Sequence, residues 1–84
     1  MADSKAKLNV TILTPEKLIY RGQAESVILP GERGVFEILP HHKRLLSRLL
    51  SGTVQVDSKK MQIRRGVAKV ALNEVTIIVE ERKS

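Results

Sequence analysis

The sequence predicts an all-β domain, a small sandwich of two antiparallel sheets with roughly eight to ten short strands. Three observations carry this. Of the 84 residues, 26 are Val, Ile or Leu, and 16 of those are β-branched Val or Ile, which suit a pleated, half-buried surface. Apolar residues recur with a period of two in several short runs. Turn-forming Gly, Pro, Asn and Asp punctuate the chain at intervals of roughly seven to twelve residues.

The elements follow in order. Residues 1–7 are polar and read as a flexible tail, residues 8–81 as the sandwich domain, and residues 82–84 as a polar C-terminal tail. Leu8, Val10 and Ile12 alternate with Asn9 and Thr11 as a first strand, broken at Thr14-Pro15-Glu16 because Pro15 has no N–H for a ladder. A short strand from Lys17 to Tyr20 leads to Gly22, and Glu25 to Leu29 reads as another, ended by Pro30-Gly31. Pro30 to Gly34 is a tight turn with two glycines available for positive φ, followed by a strand over Val35 to Leu39 that Pro40 ends. Residues 41–50 are ambiguous: Leu45, Leu46, Leu49 and Leu50 fit helical spacing, yet the same leucines also suit a short strand and bend under a sandwich. Thr53 to Asp57 is a half-buried strand, Asp57 to Lys60 a turn, and Met61 and Ile63 alternate with Gln62 and Arg64 out of it. Gly66 interrupts, Val67 to Leu72 resumes, Asn73-Glu74 turns the chain, and Val75 to Val79 is the most apolar strand.

Composition bounds the function. A chain of 84 residues forms one domain and buries only roughly 60–65% of its unfolded surface, so its stability margin is thin unless partners cover more of it. The absence of cysteine excludes disulfides, thiolate metal sites and cysteine nucleophiles. Small secreted domains usually carry disulfides, so the cytosolic side of a membrane is favoured, and no apolar run approaches the ~20 residues of a membrane span. The net charge of +6 points to an acidic partner or to a solvated basic surface. A small basic nucleic-acid-binding β-barrel is the alternative reading, but Tyr20 and Phe36 are the only aromatics, too few for a stacking platform.

Catalytic constellations fail on residue supply. His41 and His42 are adjacent, which makes a poor metal pair, and no third ligand lies at metal spacing. The glycines around Gly31 and Gly34 lack the phosphate-loop pattern and precede a strand rather than a helix. Glu32 and Glu37 share no cleft that the sequence reveals, and Ser47, Ser51 and Ser58 have no base placed by pattern. No catalytic, cofactor-binding or metal-binding residue is expected. The basic clusters Lys43, Arg44, Arg48 and Lys59, Lys60, Arg64, Arg65, Lys69 read as solvated faces or docking groups. One of the consecutive Arg64 and Arg65 should turn towards the core side or sit at a strand end where it can snorkel.

The order of motifs from Val10 to Glu81 is more specific than any of them alone. Thr14-Pro15-Glu16, Gly22, Pro40-His41-His42-Lys43-Arg44-Leu45-Leu46, Ser51-Gly52 and Asn73-Glu74-Val75-Thr76 follow one another as VTILTPEKLIYRG, SVILPGERGVFEILPHHKRLL, SGTVQV and IRRGVAKVALNEVTIIVE. This order resembles the N-terminal β-sandwich of the epsilon subunit of F-type ATP synthases, the subunit called delta in mitochondria. Three departures stand out. His41 replaces the family's usual glycine before His, Lys43-Arg44 replaces Ala-Pro, and Arg65 replaces one of two paired glycines, with Gly66 kept.

The resemblance implies a non-catalytic central-stalk subunit of a proton-translocating ATP synthase, linking the gamma subunit to the ring of c-subunits during rotary coupling. It implies no cofactor, no nucleic acid and no direct membrane insertion, and a peripheral place on the cytoplasmic face of the bacterial inner membrane. Many family members continue into a two-helix domain linked to inhibition of ATP hydrolysis; this sequence ends at Ser84, which implies coupling without that brake. Carried over residue by residue, the turn bearing Gly31, Glu32, Arg33 and Val35 is expected near the c-ring. The loop bearing His42, Lys43, Arg44 and Ser47, with Thr14 beside it, is expected near gamma.

Overall fold

The computed structural model describes residues 7–82, so the expected tails at 1–7 and 82–84 lie almost wholly outside the described residues. Eight strands follow in order: β1 (Leu8–Leu13), β2 (Leu18–Ala24), β3 (Val27–Gly31), β4 (Gly34–Ile38), β5 (Leu45–Leu49), β6 (Gly52–Val56), β7 (Lys59–Ala71) and β8 (Glu74–Glu81). The all-β class and the strand count agree with the sequence. The hydrogen bonding differs from two separate antiparallel sheets: one continuous path runs β2-β1-β8-β7-β5-β3-β4, with β6 paired to both β3 and β7.

The 13-residue strand β7 makes the path continuous. Its first part, Lys59–Ile63, pairs with β6, and its second, Gly66–Val70, pairs with β5. Between them the register against β8 shifts at Ile63/Arg65, a β-bulge. A bulge bends the strand that carries it, and the neighbouring lane breaks at the same level, at Leu50-Ser51. The sheet thereby folds over on itself. One buried cluster then draws from every strand, including Leu8, Val10, Leu29, Ile38, Ile63 and Ile77. Lys59 Nζ also lies 5.3 Å from the centroid of the Tyr20 ring, although β7 and β2 do not pair: the two layers meet there face to face.

The bulge also disposes of the arginine pair. With one extra residue inserted, both Arg64 and Arg65 point to solvent, so neither turns inward or needs to snorkel. A further non-local feature is the parallel pairing of β1 with β8, from Asn9↔Glu74 to Leu13↔Ile78. Residues 45–49 resolve as strand, with Leu49 buried and Leu46 exposed, because pairing with β7 overrides the helical spacing of the leucines. Pro30 and Gly31 belong to β3 rather than to the turn, and Gly66 lies within β7 rather than between two strands.

Candidate docking surfaces

The residues expected at interfaces fall into three places. The first is the β3–β4 hairpin. Its loop is only Glu32-Arg33, because Gly31 and Gly34 pair directly. Gly34 takes φ 117°, and a Cβ on Gly31 would come within 2.6 Å of the Phe36 ring. The glycines let the hairpin close tightly, and Glu32, Arg33 and Val35 project into solvent at its tip. Glu32 Oε2 is 3.9 Å from Arg48 Nη1, a loose surface pair that ties the tip to β5.

The second place is the turn before β5. The His42 N–H donates to the Leu39 carbonyl at 3.2 Å, closing a four-residue turn with Pro40 and His41 at its centre. His42 Nδ1 is 2.7 Å from the Lys43 carbonyl, so that nitrogen carries the hydrogen. Lys43 and Arg44 are exposed and run directly into β5. Ser47 lies within β5, its hydroxyl donating to the Arg48 carbonyl at 3.0 Å. At the far end of β5, Leu49 pairs with Gly31. The charged loop therefore lies at the Leu45 end of β5, and the hairpin tip runs alongside its Arg48–Leu49 end.

Thr14 occupies the third place, and it is not beside His42–Arg44. It follows Leu13, which aligns with Ile78, Val67 and Arg48 across the sheet. That row is at the Leu49 end of β5, several strands away from it. The Thr14 hydroxyl accepts the N–H groups of Glu16 and Lys17, each at 3.1 Å, while the Thr14 N–H donates to the Lys17 carbonyl at 2.9 Å. Thr14 is buried and closes the β1–β2 turn around Pro15.

Next to Thr14, Glu80 accepts from Arg65 Nε at 2.7 Å and faces Arg64 Nη1 at 3.6 Å. The hydrogen bond from Arg65, then its charge, holds the Glu80 carboxyl below the usual carboxylate range. Among the described residues no group of three or more His, Cys, Asp or Glu gathers as a metal site, and no helix is long and apolar enough to cross a membrane.

One surface escaped the sequence reading. The outward side of β7, β8, β1 and β2 leaves Val67, Ile78 and Leu18 exposed, with Lys69 and Arg21 beside them. The consecutive Ile77-Ile78 is the one signal that pointed there. In a strand one of the two must face out.

With this geometry in view, the comparisons with known proteins are direct. The profile of the ATP synthase delta/epsilon chain beta-sandwich domain matches residues 7–83. The ATP synthase epsilon chain of Leptospira borgpetersenii is 35% identical over 78 residues, covering 88% of this chain and 61% of that one. The epsilon chain of Chlorobaculum tepidum is 36% identical over 86 residues, covering 96% of this chain and 98% of that one. Among solved structures, the mitochondrial ATP synthase central stalk and c-ring of Tetrahymena thermophila contains a chain with TM-score 0.75 at 19% identity, covering 94% of this chain and 67% of that one. A chain of the Euglena gracilis mitochondrial ATP synthase gives TM-score 0.81 at 22% identity, covering 95% of this chain and 54% of that one. These two likenesses show the fold. The chain spans 61% to 64% of the length of three Leptospira epsilon chains it matches. The family profile covers all of the described residues, and the chain belongs to the delta/epsilon family of ATP synthase β-sandwich domains.

Proposed function

We propose that this chain is a non-catalytic central-stalk subunit of a proton-translocating F-type ATP synthase, connecting the gamma subunit to the c-ring. The observation that carries this is the family match over residues 7–83. The geometry supports it. A layered core holds two exposed loops beside the two ends of β5, which offers two separate docking places. Glu32, Arg33 and Val35 at the hairpin tip face the c-ring in this reading, and His42, Lys43, Arg44 and Ser47 face gamma. Thr14 lies away from both loops and acts within the domain, closing the β1–β2 turn. The subunit transmits torque and breaks no bonds. It sits peripherally on the cytoplasmic face of a bacterial inner membrane, held there by its partners.

The test is association of the purified chain with a gamma subunit from the same source, followed by size-exclusion chromatography and calorimetry. A stoichiometric complex at low and moderate salt is expected. Failure to bind at either salt concentration overturns the reading of function while leaving the fold untouched.

A further inference from the structure

The two layers of the folded sheet do not close at one edge. There β2 faces the β6–β7 hairpin, and no backbone ladder joins them. Between them lies a cleft of about 160 Å³ that opens to solvent. Buried Ile12, Val54 and Val56 form its floor, and the half-buried Ile19, Tyr20 and Met61 pack against the core as its walls.

The register accounts for the gap and for the charge at its mouth. Ile12 pairs with Tyr20 and Val10 with Gly22, so Tyr20 and Gly22 turn to the core side of β2. Tyr20 leans along the strand over the glycine, where a Cβ would lie 2.9 Å from the Tyr20 hydroxyl oxygen. On the opposite layer Met61 pairs with Val54 and Lys59 with Val56. Strand alternation puts Lys59 on the same side of β7 as Met61 and the buried Ile63, so a lysine occupies the core-side position at the open edge. Its Nζ lies 5.3 Å from the centroid of the Tyr20 ring. Among the described residues no carboxylate stands within ion-pair distance of Lys59 or of Lys60 beside it, and no acidic side chain lines the cleft. An ammonium whose partner is a ring face keeps N–H donors for an anion.

We propose that this cleft binds a small amphiphilic anion, an apolar body of about six carbons carrying one carboxylate, with the body between the layers and the carboxylate on Lys59. The size follows from the volume, since an apolar cavity of about 150 Å³ holds benzene. The sign follows from the lysine, because a charge-assisted hydrogen bond at an apolar mouth favours an anion over a neutral or cationic end group. The site shares no residue with the loops assigned to gamma and the c-ring, and it does not depend on the functional reading above.

The chain carries its own reporters. Tyr20 is the only tyrosine and there is no tryptophan, so tyrosine fluorescence reads the cleft alone. Met61 and Met1 are the only methionines, so in methyl-labelled protein the Met61 methyl resonance reads the cleft and Met1 serves as the internal control. The experiment titrates the wild type, Lys59→Gln, Met61→Phe and the remote charge control Lys69→Gln with hexanoate, butyrate, hexanol and hexylamine. Thermal melts verify that each variant is folded, and the ligand series on the wild type stands by itself should Met61→Phe fail to fold. Hexanoate should give saturable shifts at Met61 and Tyr20 with a Kd of roughly millimolar or tighter. Each CH₂ between butyrate and hexanoate should tighten binding about twofold to fourfold. Hexanol and hexylamine should bind about fivefold or more weakly than hexanoate. Lys59→Gln should weaken hexanoate about fivefold while leaving hexanol within about twofold, Lys69→Gln should change neither beyond about twofold, and Met61→Phe should weaken both by filling the cleft. Absence of saturation by hexanoate up to about 20 mM overturns the proposal. Equal binding of hexanoate and hexanol, or equal loss of hexanoate in Lys59→Gln and Lys69→Gln, also overturns it, because the anion is then not selected by Lys59.

Discussion

The backbone N–H of His41 donates to Asn73 Oδ1 at 2.8 Å, across 32 residues of sequence, while His41 holds φ at 71°. The Leu39–His42 turn places Pro40 at its second position and His41 at its third, where a type II turn demands positive φ and glycine is favoured. A glycine there would meet the demand at no steric cost. This chain meets it with a side chain, and Asn73 anchors the strained peptide from the β7–β8 turn.

His41→Gly should therefore stabilise the protein. A left-handed residue with a Cβ costs about 1–2 kcal/mol, of which the extra unfolded freedom of glycine returns about 0.5–1 kcal/mol. A rise in melting temperature of a few degrees is expected for a domain of this size. Asn73→Ala should destabilise by about 1 kcal/mol, and by less in the His41→Gly background. Urea denaturation of the four proteins measures the coupling, and strict additivity would mean that Asn73 does not hold the strained turn.

Asp57 has a similar bridging role. At φ 53° it opens the β6–β7 turn, and its Oδ1 accepts the N–H groups of Glu25 and Ser26 at 2.9 and 3.1 Å. The Asp57 N–H donates in return to the Ser26 carbonyl at 3.1 Å. Asp57→Ala should cost about 1–3 kcal/mol. Asp57→Asn should recover more than half of that, since asparagine keeps the acceptor and tolerates the left-handed backbone. Equal losses in the two variants, measured by equilibrium unfolding, would point away from the hydrogen bonds as the cause.

Gly66 sits just past the bulge, where β7 and β8 approach so closely that a Cβ would lie 2.5 Å from the Ile78 carbonyl oxygen and 3.1 Å from Val79 Cγ1. Backbone offers no flexible end to move aside. Gly66→Ala should destabilise by about 2 kcal/mol or more. A crystal structure of the variant should show the β7–β8 separation widened at this level, and an unchanged melting temperature would contradict the prediction.

The Arg65–Glu80 pair sets a pH response. Glu80 is depressed by the hydrogen bond and charge of Arg65, and Arg65 is raised above its ordinary value by the same contact. A carboxyl with a depressed folded-state pKa contributes stability that is complete above its unfolded value and is lost as pH falls through the folded value. The pair is open to water, so the contribution is small. Carbon-13 titration of the Glu80 carboxyl should show its midpoint moving up in Arg65→Ala. The stability gap between wild type and variant should close as the solution is acidified below the carboxylate range. A midpoint that stays in place would remove Arg65 as the cause.

Much of this architecture is legible in residues 8–12, where strict alternation gives the strand and its buried face at once, and in the turns at Asp57 and Asn73. The leucines of β5 are not legible, because 45, 46, 49 and 50 satisfy a helical period equally well and only the lane opposite β7 decides between them. The parallel pairing of β1 with β8 joins the two ends of the domain and leaves no local trace. For the site, loop residues could be placed from motif order, but the position of Thr14 relative to His42 depends on which strands become neighbours. The exposed apolar side of β7, β8, β1 and β2 is hidden for another reason. Val67 and Leu18 have the same composition signal as core residues, and only the register says which way they point.

The pair Lys43-Arg44 gives the sharpest test of the proposed gamma contact, because both side chains are exposed just before β5. Two charges that reach carboxylates across an interface rim contribute about 0.5–1 kcal/mol each, so replacing both should weaken binding to the gamma subunit about tenfold at low salt. Ionic strength separates this from a loss of shape. Exposed charges are screened over about 8 Å at physiological salt and about 3 Å at 1 M, so affinity should fall less steeply with added salt for Lys43→Ala/Arg44→Pro than for wild type, and the two should converge. Association rates should carry most of the difference, as expected for rim charges that steer encounter. Parallel salt slopes for the two proteins would mean that Lys43 and Arg44 meet no carboxylates of the gamma subunit.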